Sequence, residues 1–194
     1  MHVITKDELK HQREHFKRRI LSGEIFIHPT DTIYGLGCHA FDEECVDKIR
    51  ALKKRPKEKP FSIIAPSKDW IREHCHVDEA AEEWLNKLPG PYTLILKLKN
   101  EALSGNVNGN SDSIGVRIPD HWISQAVSEI GVPIVTTSAN IRGQEFMTSI
   151  ENISSELKSK VNFTIYEGEI HGSPSTIVNL AKVDLEDFGY RKVI

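Results

Sequence analysis

A run of cations lies between a predicted helix and a predicted strand. It reads KKRPKEK over Lys53–Lys59. Polyphosphate binding requires several cations and N–H donors placed together without a competing carboxylate, and this run could supply them. The alternative is a solvated helix end, where cations interact favourably with the helix dipole. The run alone leaves both interpretations open.

Arg117 is the second residue whose type suggests chemistry. It lies in the strand candidate SIGVRI (113–118), among mostly apolar residues. An arginine there is either paired with a buried acid or directed into a pocket, where its guanidinium could bind a carboxylate or phosphate bidentately. The sequence does not decide between these two placements.

Four segments combine a short strand with a loop of hydroxyl-bearing or basic residues. They are His28–Thr32, Val116–Pro119, Val135–Asn140 and Gly172–Thr176. Ligands in open α/β sheets favour strand ends, where loops bring polar groups together over an apolar floor. A loop of this composition is also an ordinary turn, so each segment alone is weak support for a site.

Several familiar signatures are missing from the sequence. It contains no GxxxxGK[ST] phosphate loop and no GxSxG nucleophile elbow, so Ser138 is not expected to be a hydrolase nucleophile. Adjacent residues such as His74, Cys75 and His76 cannot all turn toward one ion, and no second CxxC or HxxxH pair supports a cluster. We therefore predict no metal site built from protein ligands.

The composition is that of a soluble globular protein. The chain has 194 residues, a net charge of −3 and 39% hydrophobic residues, whereas a dedicated nucleic-acid binder usually carries a basic excess. Cys38, Cys45 and Cys75 are odd in number and irregularly spaced, which favours reduced thiols. With neither a signal peptide nor a long apolar run, we expect a cytoplasmic protein without membrane contact.

The elements that must position these residues alternate irregularly. Capping residues predict helices after Thr5, Asp42, Ser67, Asp78 and Asp120, and apolar runs predict strands between them. Without regular βαβ alternation, the fold should be α/β with a twisted mixed sheet and flanking helices. The predicted strands are 24–28, 61–65, 92–98, 113–118, 133–136, 162–166, 175–180 and 188–193; the first helix should run to about residue 22, a loop should span 100–111 and a helix 150–158.

Six motifs in order resemble the YrdC-like family. They are HPTDTIYGLGC (28–38), ALKKRPKEKPFSI (51–63), LPGPYTLIL (88–96), SIGVRIPDH (113–121), PIVTTSAN (133–140) and GSPSTIVNL (172–180), followed by Tyr190-Arg191. The resemblance spans roughly residues 9–191. It implies one YrdC-like domain over residues 1–194, folded around a positively charged concave pocket, without the second C-terminal domain of long-form relatives.

The resemblance also implies a reaction. A nucleotidyltransferase would join L-threonine, bicarbonate and ATP into threonylcarbamoyl-AMP, with pyrophosphate released and Mg²⁺ carried by the nucleotide. A threonylcarbamoyl transferase complex would then use the product to modify tRNA. Two alternatives remain: a module that binds double-stranded RNA or tRNA, and a paralogue that handles threonylcarbamoyl groups without making them efficiently. Intact KxR and SxN motifs favour the synthase over the paralogue.

The family's site residues are carried over by motif. KxR falls on Lys53 and Arg55, as catalytic residues, and SxN on Ser138 and Asn140. The implied threonine side is Thr32, Arg117, Thr136 and Ser175. The implied nucleotide side is Arg55, Lys59, Ser113, Ser138, Asn140 and Arg191.

Two positions depart from the family pattern. Ile64 stands where some long-form relatives have a histidine in the substrate pocket, and Arg142 replaces a small residue after SxN. The loop 100–111 is a candidate cover for the pocket.

Overall fold

Parallel and antiparallel strand pairs alternate irregularly in one sheet. The computed structural model describes residues 1–99, 103 and 105–183. Within that range the strands are β1 (His2–Ile4), β2 (Phe26–His28), β3 (Gly35–His39), β4 (Ser62–Ile64), β5 (Tyr92–Lys97), β6 (Ser113–Arg117), β7 (Ile134–Ser138), β8 (Phe163–Ile165) and β9 (Thr176–Asn179). Their spatial order is β1-β8-β2-β3-β7-β4-β6-β5-β9. Four pairs are parallel and four antiparallel, so the predicted mixed sheet is confirmed.

Helices cover both faces of this sheet. They are α1 (Lys6–His11), α2 (Arg13–Leu21), α3 (Glu43–Leu52), α4 (Lys68–His74), α5 (Glu79–Asn86), α6 (Gly105–Asn108), α7 (Trp122–Ile130) and α8 (Ser155–Lys160), with a 3₁₀ turn at Ile150–Asn152. In the part of the chain that the structure describes, no helix is long and apolar enough to cross a bilayer.

The larger core lies on the face covered by α3, α4 and α5. Ile49, Ile71 and Leu85 of these helices belong to one apolar cluster with Ile63 of β4 and Val135 of β7. All five side chains are fully buried. Successive residues of a strand point to opposite faces, so the neighbours of Ile63 and Val135 must face the other layer.

The second core lies on that other face, under α2 and α7. Ile64 and Ile134 pack there with Phe16 of α2 and Val127 of α7. This cluster covers only one end of the face. The opposite end carries small and polar residues, and it is there that the candidate site lies.

Four of the predicted helix caps are confirmed. The side chains of Thr5, Asp42, Ser67 and Asp78 each accept a hydrogen bond from a backbone N–H in the first turn of their helices. These bonds satisfy donors that a helix start otherwise leaves unpaired. The caps therefore fix where α1, α3, α4 and α5 begin.

The fifth predicted cap is wrong. The side chain of His121, and not that of Asp120, accepts from the backbone N–H of Ile123, at 3.3 Å. Asp120 is exposed and its own backbone N–H donates to Asp31, at 3.0 Å. The helix therefore begins one residue later than a cap at Asp120 would place it.

Other boundaries differ from the prediction as well. The first helix is broken at Gln12, whose backbone leaves the helical region at φ −118° and ψ 32°. The predicted loop at 100–111 contains α6, and the predicted helix at 150–158 is a 3₁₀ turn followed by α8. Strands β1 and β3 were not predicted, and the predicted strand at 188–193 lies outside the described residues.

Replacing Asp42 by Ala should lower the free energy of unfolding by about 1 kcal/mol, because the Cys45 backbone N–H would lose its cap. Asp120→Ala is the matched control, since Asp120 is exposed and its side chain caps no helix. Chemical denaturation of both variants checks this. An equal loss in the two would show that capping is not the cause.

Candidate functional site

The candidate site has a floor of small residues on the face that α2 and α7 leave open. Ser62 of β4 lies between Gly115 of β6 and Thr136 of β7, and Thr136 in turn pairs with Gly37 of β3. The same register places Gly35 beside Ser138. Because glycine projects no side-chain atoms, these strands leave room for the polar side chains of neighbouring residues.

The glycines of this floor are required by space. A Cβ on Gly115 would lie 2.5 Å from the Ser62 hydroxyl oxygen. A Cβ on Gly35 would lie 2.6 Å from Cε1 of His28. Real Cβ atoms do not approach other heavy atoms so closely, so larger residues would displace the polar side chains that the floor carries.

Lys53 connects the end of α3 to the loop after β7. Its Nζ donates to the backbone oxygens of Ser138, at 2.6 Å, and Asn140, at 2.8 Å, and to Oδ1 of Asn140, at 3.0 Å. The Ser138 hydroxyl donates to the same Oδ1, at 2.6 Å. The KxR lysine and the SxN loop are thus in direct contact. Burial, together with the charge of Arg55, lowers the pKa of Lys53 to about 7.

Arg55 and Lys59 lie in the loop that follows α3, and both are half-buried. Nη2 of Arg55 donates to the backbone oxygen of Pro60, at 2.6 Å, and its Nε to that of Lys59, at 3.3 Å. Its guanidinium lies 5.2 Å from the ring centre of Phe61. Around Arg55 the basic run is therefore a loop folded around its own carbonyl groups, whereas Lys54 and Lys57 are exposed to solvent.

Arg117 combines both placements that the sequence left open. Its Nη2 donates to Oδ1 of Asp31, at 2.6 Å, so it is paired with a buried acid. Nη1 and Nη2 also lie 3.3 Å from the hydroxyl of Thr32. Among the described residues, its buried Nε has no hydrogen-bond partner. Arg117 therefore keeps one buried N–H that the described protein atoms do not satisfy.

The segment before β9 crosses close to Thr32. A Cβ on Gly172 would lie 1.6 Å from the Thr32 backbone oxygen, so this crossing needs glycine. Three residues later, the hydroxyl of Ser175 lies 2.7 Å from that of Thr93 on β5. The predicted loop at Gly172–Thr176 therefore precedes a strand instead of following one. It approaches the site next to Thr32.

The remaining predicted residues lie around the floor. Thr136 Oγ1 lies 3.4 Å from Nε2 of His28, and the Ser113 hydroxyl 2.9 Å from that of Ser111. Arg191 lies outside the described residues. The structure thus brings together Lys53 with SxN, and Arg117 with Thr32. It does not bring Ser175 or Ser113 into hydrogen-bond contact with either group.

Three residues near the site were not predicted as site residues. Asp31 is the acid that pairs with Arg117, and Arg50 donates to three backbone carbonyls of the neighbouring loops. His28 is fully buried, and burial lowers its pKa to about 4, with the charge of Arg117 as a further cause. Asp31 and His28 had a local signal, because both lie in the candidate segment His28–Thr32, whereas Arg50 had none.

A cavity of about 280 Å³ lies beside the polar floor, between α2, α7 and the sheet. Its lining is mainly apolar but includes Arg13, Glu14, Lys17 and Glu129, and it shares only His28 with the polar floor. None of the predicted site residues lines it, so we place the candidate site on the polar floor and not in this cavity. The described residues include no group of three or more His, Cys, Asp or Glu side chains suited to a metal ion.

Residues 18–186 match the Sua5/YciO/YrdC family, described as Telomere recombination. The chain belongs to this family. This confirms the predicted resemblance, and the mixed-sheet fold agrees with it. That the chain forms one domain around a positively charged pocket stays a prediction.

Named relatives within the family match most of this chain. A Methanocaldococcus jannaschii protein, provisionally named a threonylcarbamoyl-AMP synthase, is 38% identical over 93% of this chain and 86% of its own. A Vibrio campbellii threonylcarbamoyl-AMP synthase is 32% identical over 84% of this chain and 91% of its own. The structure of P. abyssi Sua5 complexed with L-threonine superposes with a TM-score of 0.84 and 26% identity. It covers 100% of this chain, which spans 62% of that longer Sua5/YciO/YrdC protein.

Replacing Arg117 by Ala should lower the free energy of unfolding by about 3–5 kcal/mol, because Asp31 would remain buried without its partner. The double variant Arg117→Ala with Asp31→Ala should recover much of that loss. Thermal and chemical denaturation check both. A double variant as unstable as the single one would contradict the ion pair as the cause.

Lys53 should make stability depend on pH. Its pKa is about 7 when folded and about 10.4 when unfolded, so between these values the unfolded chain binds more protons. Stability should therefore rise with pH from about 7 to about 10, by up to about 1.4 kcal/mol per pH unit. Lys53→Met should remove that rise. Urea denaturation at a series of pH values measures the stability of wild type and variant. An equal rise in stability with pH in both proteins would contradict the prediction.

Proposed function

We propose that this protein makes threonylcarbamoyl-AMP from L-threonine, bicarbonate and ATP, with release of pyrophosphate. The observation that carries the proposal is one sheet face with two chemically different ends. Arg117 and Thr32 lie at one end, and Lys53 with Ser138 and Asn140 at the other. One end suits an amino-acid carboxylate and the other a polyphosphate. The names of the relatives support the same reaction.

The threonine side would use the unpaired edge of Arg117. A carboxylate binds best to two parallel N–H groups of a guanidinium, and Nε is the group that the protein leaves unsatisfied. The hydroxyls of Thr32 and Thr136 lie on the same side of the sheet. A site that bonds the substrate hydroxyl discriminates against amino acids that lack it.

The substrate amine must lose its proton before it can take up carbon dioxide. A neighbourhood of cations disfavours the ammonium form, and Arg117 and Lys53 are both buried here. The neutral amine then forms an N–C bond with carbon dioxide, which bicarbonate supplies by losing hydroxide, and the nitrogen loses a proton to give a carbamate; the hydroxide and the proton leave as water. No protein nucleophile is needed for this step.

The carbamate oxygen next attacks the α-phosphorus of ATP, and the bond to pyrophosphate breaks. Negative charge builds up on the phosphate oxygens, which Arg55 and Lys59 would stabilise from the loop after α3. Mg²⁺ would enter bound to the nucleotide, since Asp31, a carboxylate on this face, is already paired with Arg117. The ion would offset phosphate charge.

Lys53 has a different role in this scheme from Arg55. Its three ammonium N–H groups are taken up by Ser138 and Asn140. It therefore acts by holding the SxN loop in place, so that Ser138 and Asn140 can meet the nucleotide. Arg55, which is half-buried, is the better candidate for direct contact with phosphate.

A module that binds RNA is the alternative for the same cations. Phosphate contacts hold RNA without reading its sequence, and a cationic surface could serve either ligand. The buried carboxylate clamp at Arg117 favours the enzyme, because RNA has no carboxylate and cannot reach so enclosed a group.

Incubation with ATP, L-threonine and ¹³C-bicarbonate should yield a labelled threonylcarbamoyl-AMP, detected by mass spectrometry, with one pyrophosphate per product. Arg55→Ala should reduce the rate by roughly a hundredfold, because a cation that stabilises transition-state charge is lost. Lys48→Ala is the matched control, as Lys48 is exposed on α3 and pairs only with Glu44 among the described residues.

The proposal fails if no labelled product forms and calorimetry detects no ATP binding in the presence of threonine. Tight, salt-sensitive RNA binding under those conditions would favour the alternative module. Equal rates in Arg55→Ala and Lys48→Ala would remove Arg55 from the reaction while leaving the synthase activity in place.

A further inference from the structure

Arg50 is a buried cation to which the proposed function gives no role. It lies in the last turn of α3, three residues before Lys53, and only 5% of it is exposed. Its Nη1 donates to the backbone oxygens of Pro56, at 2.6 Å, and Lys59, at 2.8 Å. Its Nη2 donates to the backbone oxygen of Asn106. The guanidinium lies 4.5 Å from the ring centre of Phe61.

These contacts join two separate stretches of chain. Pro56 and Lys59 belong to the cationic loop, defined as residues 53–60, whereas Asn106 belongs to α6. The two stretches also touch beside Arg50. A Cβ on Gly109 would lie 2.5 Å from the Glu58 backbone oxygen, and the Phe61 N–H donates to the Val107 oxygen at 2.8 Å.

The α6 side continues to the predicted nucleotide residue Ser113. Nδ2 of Asn108 donates to the Ser111 backbone oxygen, at 2.6 Å. The Ser111 hydroxyl lies 2.9 Å from that of Ser113, at the start of β6. Arg50 therefore sits where the loop that carries Arg55 and the segment that leads to Ser113 meet.

The cationic loop needs an internal support of this kind. It contains five like charges within eight residues, and their repulsion favours an open, extended loop. Arg50 adds a sixth cation, but its Nη1 binds carbonyls on both sides of the loop's turn while its Nη2 binds the carbonyl of Asn106 in α6. A lysine could not bind the loop and α6 in this way, because its one nitrogen cannot occupy the Nη1 and Nη2 positions together.

We propose that Arg50 is a positioning residue for the nucleotide. It fixes the cationic loop against α6, so that Arg55, Lys59 and Ser113 meet the triphosphate in one preformed arrangement. The proposal rests on the proposed function and specifies what organises its nucleotide side. A preformed arrangement binds more tightly than one that must be ordered on binding.

The test compares Arg50→Lys and Arg50→Met with wild type in ATP affinity, by calorimetry, and in the KM values for ATP and threonine. Both variants should weaken ATP binding and raise the ATP KM roughly tenfold or more, the loss expected for hydrogen bonds from a charged donor. The threonine KM should stay within about twofold, because Arg117 and Thr32 do not touch Arg50.

Arg19→Met is the matched control. Arg19 also lies 4.5 Å from a phenylalanine ring centre, that of Phe163 in the second core, but it pairs with the half-buried Glu24. It should leave the ATP KM unchanged. Arg50→Lys retains charge and bulk, so it keeps the test open if Arg50→Met fails to fold.

Three results would overturn the positioning role: a wild-type ATP KM in Arg50→Lys, an equal rise in the ATP and threonine KM values, or a lower melting temperature with unchanged ATP affinity. Failure of the proposed function is distinguishable, because it shows as a wild-type protein that forms no product. Calorimetry measures the effect of Arg50 on ATP affinity even when no product forms.

Discussion

The three hydrogen bonds of the Lys53 ammonium are the interaction on which the site depends. They connect the end of α3, on one side of the sheet, with the loop that follows β7 in its middle. A buried ammonium is costly unless oxygens surround it, so helix and loop must meet at this one point. Once they do, the direction in which the cationic loop leaves α3 is fixed, and so is the orientation of Ser138 and Asn140 at the edge of the floor.

Two further cations near Lys53 are also buried and bound by oxygens. Arg50 donates to backbone carbonyls, and Arg117 pairs with Asp31 while its Nε keeps no partner among the described residues. Each is more than nine-tenths buried, and each is held by oxygens drawn from distant parts of the chain. The three cations thus hold a frame of loops around the small-residue floor. Such a frame is prepared before any anion arrives, which reduces the reorganisation that binding or charge development would otherwise require.

Local signals predicted the parts of this arrangement that depend on local chemistry. Asp42 capped α3 as expected, and apolar alternation located β4 and β6. Strand β3 was missed because its sequence, GLGCH, has low strand propensity, and its glycines are there to make room for His28 and Thr136. The partner of Arg117 could not be deduced either. Asp31 is 86 residues away in sequence, and no periodicity connects residues so distant. The ordered motifs located the site residues, but they could not separate a cation that supports a loop from one that faces a ligand.

Counting the N–H donors of each cation separates one that supports a loop from one that faces a ligand. An ammonium with three accepting oxygens has no N–H left for phosphate, whereas a guanidinium has five and rarely uses all of them internally. All three N–H groups of the Lys53 ammonium are used, whereas Arg117 keeps one unpaired N–H, at Nε, within the described structure. Thr136 and Ser138 lie two residues apart on β7 and point to the same side, so the two ends of the face are joined by a single strand. A carbamate formed from an amino acid held at Arg117 would therefore develop beside the loop that Lys53 holds.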